Sequence, residues 1–280
     1  PAPCRCTPNP NGTAPGCIID DGRRILVMMP GPPREMRPML EEQILPYLSK
    51  YQHGVLVSKV LRVIGLGESM MEDKIKDLMD AQTNPTIAPY AKDGEAILRI
   101  TAKAKDEEEA KKLIIPVENA ITKRLGDNIY AAGETSLEEV VVKMLIEKKF
   151  TLAAAESCTG GLLCSRLVRV PGVSSVLKEG AVTYSNDAKM RRLNVRFDTL
   201  NKFGAVSAET AAEMAEGIAK TAKCDIGLSV TGIAGPDGGT EDKPVGLVYV
   251  GLYINGKVQT RKFNFPGNRQ NVQNRTVMSA

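Results

Sequence analysis

Between residues 134 and 280, short apolar runs alternate with segments of helical periodicity, and this alternation constrains the fold more than any other feature. TLAAA, EGAVTYS, DIGLSVTGI and GLVYVGLYI read as strands. LEEVVVKMLIEKK, NDAKMRRL and VSAETAAEMAEGIAKTAK read as helices, the first opened by the capping box Ser136-x-x-Glu139 and the last by Ser207. Asn255-Gly256 suits the tight turn of a closing hairpin. Strands and helices in this order predict a layered α/β domain with a mixed sheet.

Two smaller units precede it, so the expected division is 1–52, 53–132 and 133–280. In the first, CIID and RRILVMM flank Asp21-Gly22 as a hairpin, and PGPPREMRPMLEEQILPYL follows as a helix. The opening PAPCRCTPNPNGTAPG reads as loop, and a piece this short cannot bury a sizeable core. The second unit is α+β. VLVSKVLRVIG is a strand, Glu68 to Met79 a helix, and PTIAPY and EAILRITAKA are strands around Asp93-Gly94. An amphipathic helix interrupted at Pro116 ends the unit. Asp106 to Glu109 sit in its first turn, where they complement the helix dipole, so a solvated helix start is read there rather than a metal site. Both ends of the chain read as cut: Pro1 is not an initiator, and the last helix stops without a cap.

Composition excludes several classes. No apolar run approaches the ~18–20 residues of a membrane span, so no membrane role is expected. The net charge is only +4, with no Trp and five Phe. That argues against a basic stripe with stacking aromatics, and hence against nucleic acid. Six cysteines, at 4, 6, 17, 158, 164 and 224, form no CxxC pair. Cys4, Cys6 and Cys17 read as solvated thiols rather than a zinc set, and the cytoplasm is the expected compartment.

In α/β sheets, ligands collect at the carboxyl ends of strands, beside helix N-termini. Three stretches of small polar residues fall there: Glu156 to Gly161, Thr183 to Asn186, and Thr231 to Pro236. Ser157 directly follows a strand and precedes two glycines, yet from this stretch alone a helix cap at Ser157 or Thr159 is the slightly stronger assignment. Cys158 is read as a small packing residue. The single histidine, His53, lies about a hundred residues upstream, so a hydroxyl nucleophile needs a different base. Spacing offers Lys189, on the short helix after the TYS strand end; burial beside a hydroxyl lowers a lysine's pKa toward that of a general base. The loop GIAGPDGGTEDKPVG carries too many glycines and prolines for a plain connector. Arg269, opening the last helix, is placed to meet a phosphate or carboxylate.

These stretches resemble a known family. AAAESCTGGLL, EGAVTYSNDAK, GAVSAETAAEMA, SVTGIAGPDGGTEDKPVGLVYV and FPGNR occur in the order found in the C-terminal domain of the CinA (competence/damage-inducible) family, the nicotinamide-nucleotide amidohydrolases. Residues 55–131 resemble its KH-like middle domain, although GLGES replaces the GXXG loop and RNA binding is not implied. Residues 1–50, with PNPNGTAPG and MMPGPPREM, resemble the last part of its molybdopterin-binding-like N-terminal domain.

The resemblance implies hydrolysis of the carboxamide of nicotinamide mononucleotide to nicotinic acid mononucleotide and ammonia, an amidase step of pyridine-nucleotide salvage. It implies Ser157 as nucleophile, Lys189 as base and Tyr184 as an aid to proton transfer. Ser174, Thr159, Gly160, Gly161, Thr231, Gly232 and Arg269 would hold substrate. No cofactor or metal is implied for this domain. A divalent metal, like ADP-ribose pyrophosphatase activity, would belong only to an intact N-terminal domain, whose glycine-rich loop is missing. The implied partner is a small-molecule nucleotide and the implied assembly a homodimer. A nucleotide-binding regulatory module without turnover is the alternative, from which the joint presence of Ser157, Tyr184 and Lys189 argues away.

Overall fold

The computed structural model describes residues 3–51, 54–92 and 94–280; His53 and Asp93 lie outside the described residues. The chain divides into two compact units, one comprising residues up to 57 with 103–112, the other residues 58–102 with 113–280.

In the first unit, β1 (Cys4–Thr7), β2 (Gly16–Asp20) and β3 (Ile25–Met28) form an antiparallel sheet in that order. The expected loop at the start of the chain is therefore a paired strand. CRCT leaves its first three residues exposed and buries only Thr7, so the strand carries no alternation for the sequence to show. The next helical segment runs through α1 (Pro33–Met39), a π turn at Leu40–Ile44 and α2 (Leu45–Leu48). Its Met39 and Ile44 close a small core on Ile18.

Two further sheets lie mostly in the second unit. The smaller runs in the order β5-β6-β4-β7, from β4 (Val55–Val63), β5 (Thr86–Lys92), β6 (Glu95–Ala104) and β7 (Ile129–Ala132). Its helices are α3 (Glu68–Asp80) and α4 (Glu107–Leu125). The expected break at Pro116 does not occur. Pro116 is exposed within a continuous α4, where water can serve the carbonyl that proline leaves without a donor.

The larger sheet positions the site. α5 (Leu137–Lys148), capped at both arms of the Ser136/Glu139 box, leads into β8 (Leu152–Glu156). α6 (Leu162–Leu167), β9 (Leu177–Val182), α7 (Asn186–Leu193), α8 (Phe197–Phe203) and α9 (Ala208–Ala222) follow. β10 (Ile226–Gly232), β11 (Leu247–Ile254), β12 (Lys257–Asn264) and α10 (Arg269–Ser279) complete it. The strand order is β12-β11-β10-β8-β9, with β9, β8 and β10 parallel and the β11–β12 hairpin antiparallel. α8 was not expected; it lies between two helices the periodicity does show.

Side-chain size sets the layers. Ala153 and Ala155 of β8 face Met214 and Ile218 of α9, with Leu193 and Leu200 beside them. A Cβ on Gly227 or Gly251 would meet the backbone carbonyls of Ala215 or Ala211 at 2.0 and 2.4 Å, so α9 lies on these two strands only because they carry glycine there. The other face packs Val142 and Leu145 of α5, Leu163 and Leu167 of α6, and Val272 and Val277 of α10. β8 thus hands the chain to one face through α6, and neighbouring β9 hands it to the other through α7. A crevice opens at the carboxyl ends of two such strands.

Candidate active site

Ser157 stands at the end of β8, in that crevice. Its amide donates to the Val230 carbonyl at 3.0 Å, which ties the residue to β10. The chain then turns through Gly160 and Gly161, with φ of +61° and +101°, and glycine adopts these left-handed values without strain. The turn is held by Glu156, a carboxylate with 0% exposure. Glu156 Oε2 accepts from the amides of Gly161 (2.9 Å) and Leu163 (3.1 Å), and Oε1 from that of Cys164 (2.9 Å). Three charge-assisted bonds from a helix start are what let a carboxylate stay buried without a cation. From Gly160 to Cys164 every amide is thereby engaged, the remaining two by the Ser157 and Thr159 carbonyls. The amides of Cys158 and Thr159, next to the Ser157 hydroxyl, have no acceptor on another residue among the described residues.

From the other side of the crevice, α7 delivers Lys189, which is 1% exposed. Ser185 caps this helix by accepting from the Ala188 amide. Lys189 Nζ lies 3.1 Å from Ser157 Oγ, 2.8 Å from the Thr183 carbonyl and 3.1 Å from the Tyr184 carbonyl. Burial lowers its pKa to about 8 from the ordinary 10.5, because an ammonium in this position has lost its water. The carbonyls can only accept. A neutral amine therefore donates its two protons to them and turns its lone pair to the serine hydroxyl. Cys158, 5% exposed, is pushed the other way: burial raises its thiol to about 11, so it is protonated at neutral pH.

The rim is built by Arg269, the first residue of α10. It donates to the Gly235 carbonyl (2.9 Å) and to the Tyr184 hydroxyl (3.2 Å). The loop 233–246 is tied on its far side by Lys243, which donates to the Phe203 and Val206 carbonyls at 2.6 and 2.8 Å. Among the described residues, the Thr159 and Thr183 hydroxyls are buried without a hydrogen-bond partner.

Comparison with known proteins decides the family. The model of the CinA C-terminal domain matches residues 134–280, more than half of the chain, and that of the damage-inducible protein CinA KH domain matches residues 58–131. The chain belongs to the CinA family. A relative from Clostridium acetobutylicum, provisionally named a competence-damage inducible protein, is 62% identical over 277 residues, which cover 99% of this chain and 67% of that protein. One from Clostridium novyi, under the same name, is 60% identical over 273 residues, covering 98% and 66%. The chain thus spans about two thirds of the length of these relatives. The crystal structure of the competence/damage inducible protein CihA from Agrobacterium tumefaciens matches with a TM-score of 0.51 at 39% identity, over 51% of this chain and 88% of that one. A CinA superfamily protein from Escherichia coli matches with a TM-score of 0.50 at 35% identity, over 51% and 83%.

Of the residues the CinA resemblance implied, Ser157, Thr159, Gly160, Gly161 and Lys189 come together. Tyr184 comes differently from the expectation: its carbonyl, not its hydroxyl, meets Lys189, and the ring is 61% exposed with the hydroxyl on Arg269. Thr231 spends its hydroxyl on the Ala205 carbonyl at 2.7 Å, and Gly232 is paired in β10 against Val248. Both hold the crevice wall in place. Ser174 is not at the site. It is exposed in the turn before β9, whose Leu177 pairs with Leu152 at the amino end of β8, and Ser157 follows the carboxyl end. The length of β8 separates the two.

Three participants were not singled out from sequence. Glu156 ends an otherwise apolar strand with an acid, which is a legible signal. Gln273, one turn after Arg269, donates to the Cys158 carbonyl at 2.7 Å, and the i,i+4 spacing marks it. Thr183 acts through its carbonyl, which no side-chain pattern reveals. Among the described residues no group of three or more His, Cys, Asp or Glu is arranged for a metal, and no helix is long and apolar enough to cross a membrane.

Proposed function

We propose that this chain hydrolyses the carboxamide of nicotinamide mononucleotide to nicotinic acid mononucleotide and ammonia, with Ser157 as nucleophile and Lys189 as base. The observation that carries the reading is the buried Lys189 amine, held by two carbonyls so that its third direction is the Ser157 hydroxyl. Family membership adds to it, since the matched domain covers every residue of the site.

The steps follow from the groups present. Neutral Lys189 takes the Ser157 proton as Oγ adds to the carboxamide carbon. The developing oxyanion is received by the Cys158 and Thr159 amides, which are already oriented by the Glu156-anchored turn. The Lys189 ammonium returns the proton to the leaving nitrogen and ammonia departs. Water, deprotonated by the same amine, then opens the serine ester to the acid product. Arg269 and the Tyr184 hydroxyl, at the rim, hold the phosphate of the nucleotide. The unpartnered Thr159 and Thr183 hydroxyls offer polar contacts to the bound ligand or to the attacking water.

The test is product formation. The purified chain given nicotinamide mononucleotide is expected to release ammonia and nicotinic acid mononucleotide in equal amounts. Saturable binding of the nucleotide with neither product formed would instead assign a binding module.

A further inference from the structure

The first unit holds a cluster that the amidase reading does not use. Cys4 and Cys6 lie on β1, and Cys17 lies opposite Cys6 on β2. Their face of the sheet continues through Ile19, Leu26 and Met28, so it presents sulfur and hydrocarbon with no charge. Cys4 and Cys6 are exposed and Cys17 is half-buried.

The register decides which thiols can join. The Asp20 amide donates to the Pro3 carbonyl, which makes Pro3 and Asp20 a hydrogen-bonded pair of the antiparallel ladder. Pairs alternate along the ladder, so Arg5 with Ile18 is hydrogen-bonded and Cys6 with Cys17 is not. Non-hydrogen-bonded partners have Cα atoms about 4.5 Å apart, inside the ~4.4–6.8 Å range of disulfides. Cys4 stands diagonally from Cys17, at about 7–8 Å. It is about 6.7 Å from Cys6 along one extended strand, at the far edge of the range. Cys6 is exposed and its cross-strand partner Cys17 half-buried, so a small disulfide meets Cys6 before Cys17.

We propose that Cys6 and Cys17 form a thiol–disulfide exchange site whose reactant is a low-molecular-weight disulfide and whose product is a Cys6–Cys17 bridge. The Cys6 thiolate attacks one sulfur of the small disulfide, forming a mixed disulfide and expelling the first small thiolate, which takes up the proton Cys6 lost. Cys17, deprotonated by solvent, then attacks the Cys6 sulfur; the bridge closes and the second small thiol leaves. Two protein thiols are oxidised by two electrons and one small disulfide is reduced to two thiols. Cys4 stays reduced beside the bridge.

The sequence makes the test clean, because Arg5 lies between Cys4 and Cys6 and trypsin also cuts after Arg23. The intact chain is incubated with oxidised glutathione, alkylated without unfolding and digested. The expected result is peptide 6–23 lighter by two hydrogens and unalkylated, with peptide 1–5 alkylated on Cys4. Cys17→Ser should stop at a glutathione adduct on Cys6, and Cys4→Ser should leave bridge formation unchanged. Full alkylation of all three thiols would overturn the proposal, as would a crosslink between peptides 1–5 and 6–23. Protection of all three thiols by zinc ion alone would also overturn it, by marking a metal site.

Discussion

The Lys189 amine lies 3.1 Å from the Ser157 hydroxyl and is held from behind by the carbonyls of Thr183 and Tyr184. Those carbonyls belong to the strand end that starts the lysine's own helix, so a single local segment both supplies the base and aims it. With its pKa near 8, about one tenth of this amine is neutral at pH 7. Turnover is therefore expected to climb as pH rises through about 8 and to level off above it. A pH–rate profile that is flat between 7 and 9 would show that Lys189 does not act as the base.

The two candidate nucleophiles separate by substitution. Ser157→Ala is expected to lower turnover by at least ~1000-fold while far-UV circular dichroism is unchanged. Cys158→Ala should keep most of the activity, because a thiol raised to about 11 by burial offers no thiolate at working pH.

Glu156 holds the turn that carries the nucleophile. In Glu156→Gln the new amide group would face an N–H instead of accepting from it, so at least one of the three bonds is lost. The expected cost is about 1–3 kcal/mol of stability. A fall of about 10-fold in kcat with little change in KM should accompany it if the turn presents the oxyanion donors. Urea unfolding and steady-state kinetics on the same preparation read both.

Lys189 also links stability to pH. Its folded pKa, about 8, lies below the 10.5 it has when exposed, so between these values the unfolded chain binds more protons and stability rises with pH. Across that window the parent is expected to gain about 3 kcal/mol relative to Lys189→Met. Below pH 8 the buried charge lowers stability by that amount at every pH. A parent–variant difference that stays constant from pH 7 to 10 would show that the amine is not desolvated.

Much of the larger sheet is legible in the sequence because its signals are local. The Ser136/Glu139 box, the Ser207 cap and the Asn255-Gly256 turn each act within four residues. Strand-end placement and the lack of a nearby histidine offer Lys189 as a base, the CinA resemblance implies its pairing with Ser157, and the fold brings the two into contact. What escaped depends on distance in the chain. β1 is a strand only because β2 pairs with it, and Ser174 is carried to the wrong end of β8 by the parallel register of β9. Tyr184 shows a further limit: its backbone does the work at Lys189 and its side chain turns to Arg269, a division that residue type does not reveal.

The central claim is that a serine and a buried lysine together cleave an amide. The most direct measurement is ammonia release from nicotinamide mononucleotide by the parent chain and by Lys189→Met, side by side at pH 8. Release by the parent that disappears in the variant, with both proteins folded, is the predicted result. Equal release from the two, or none from a well-folded parent, would contradict it.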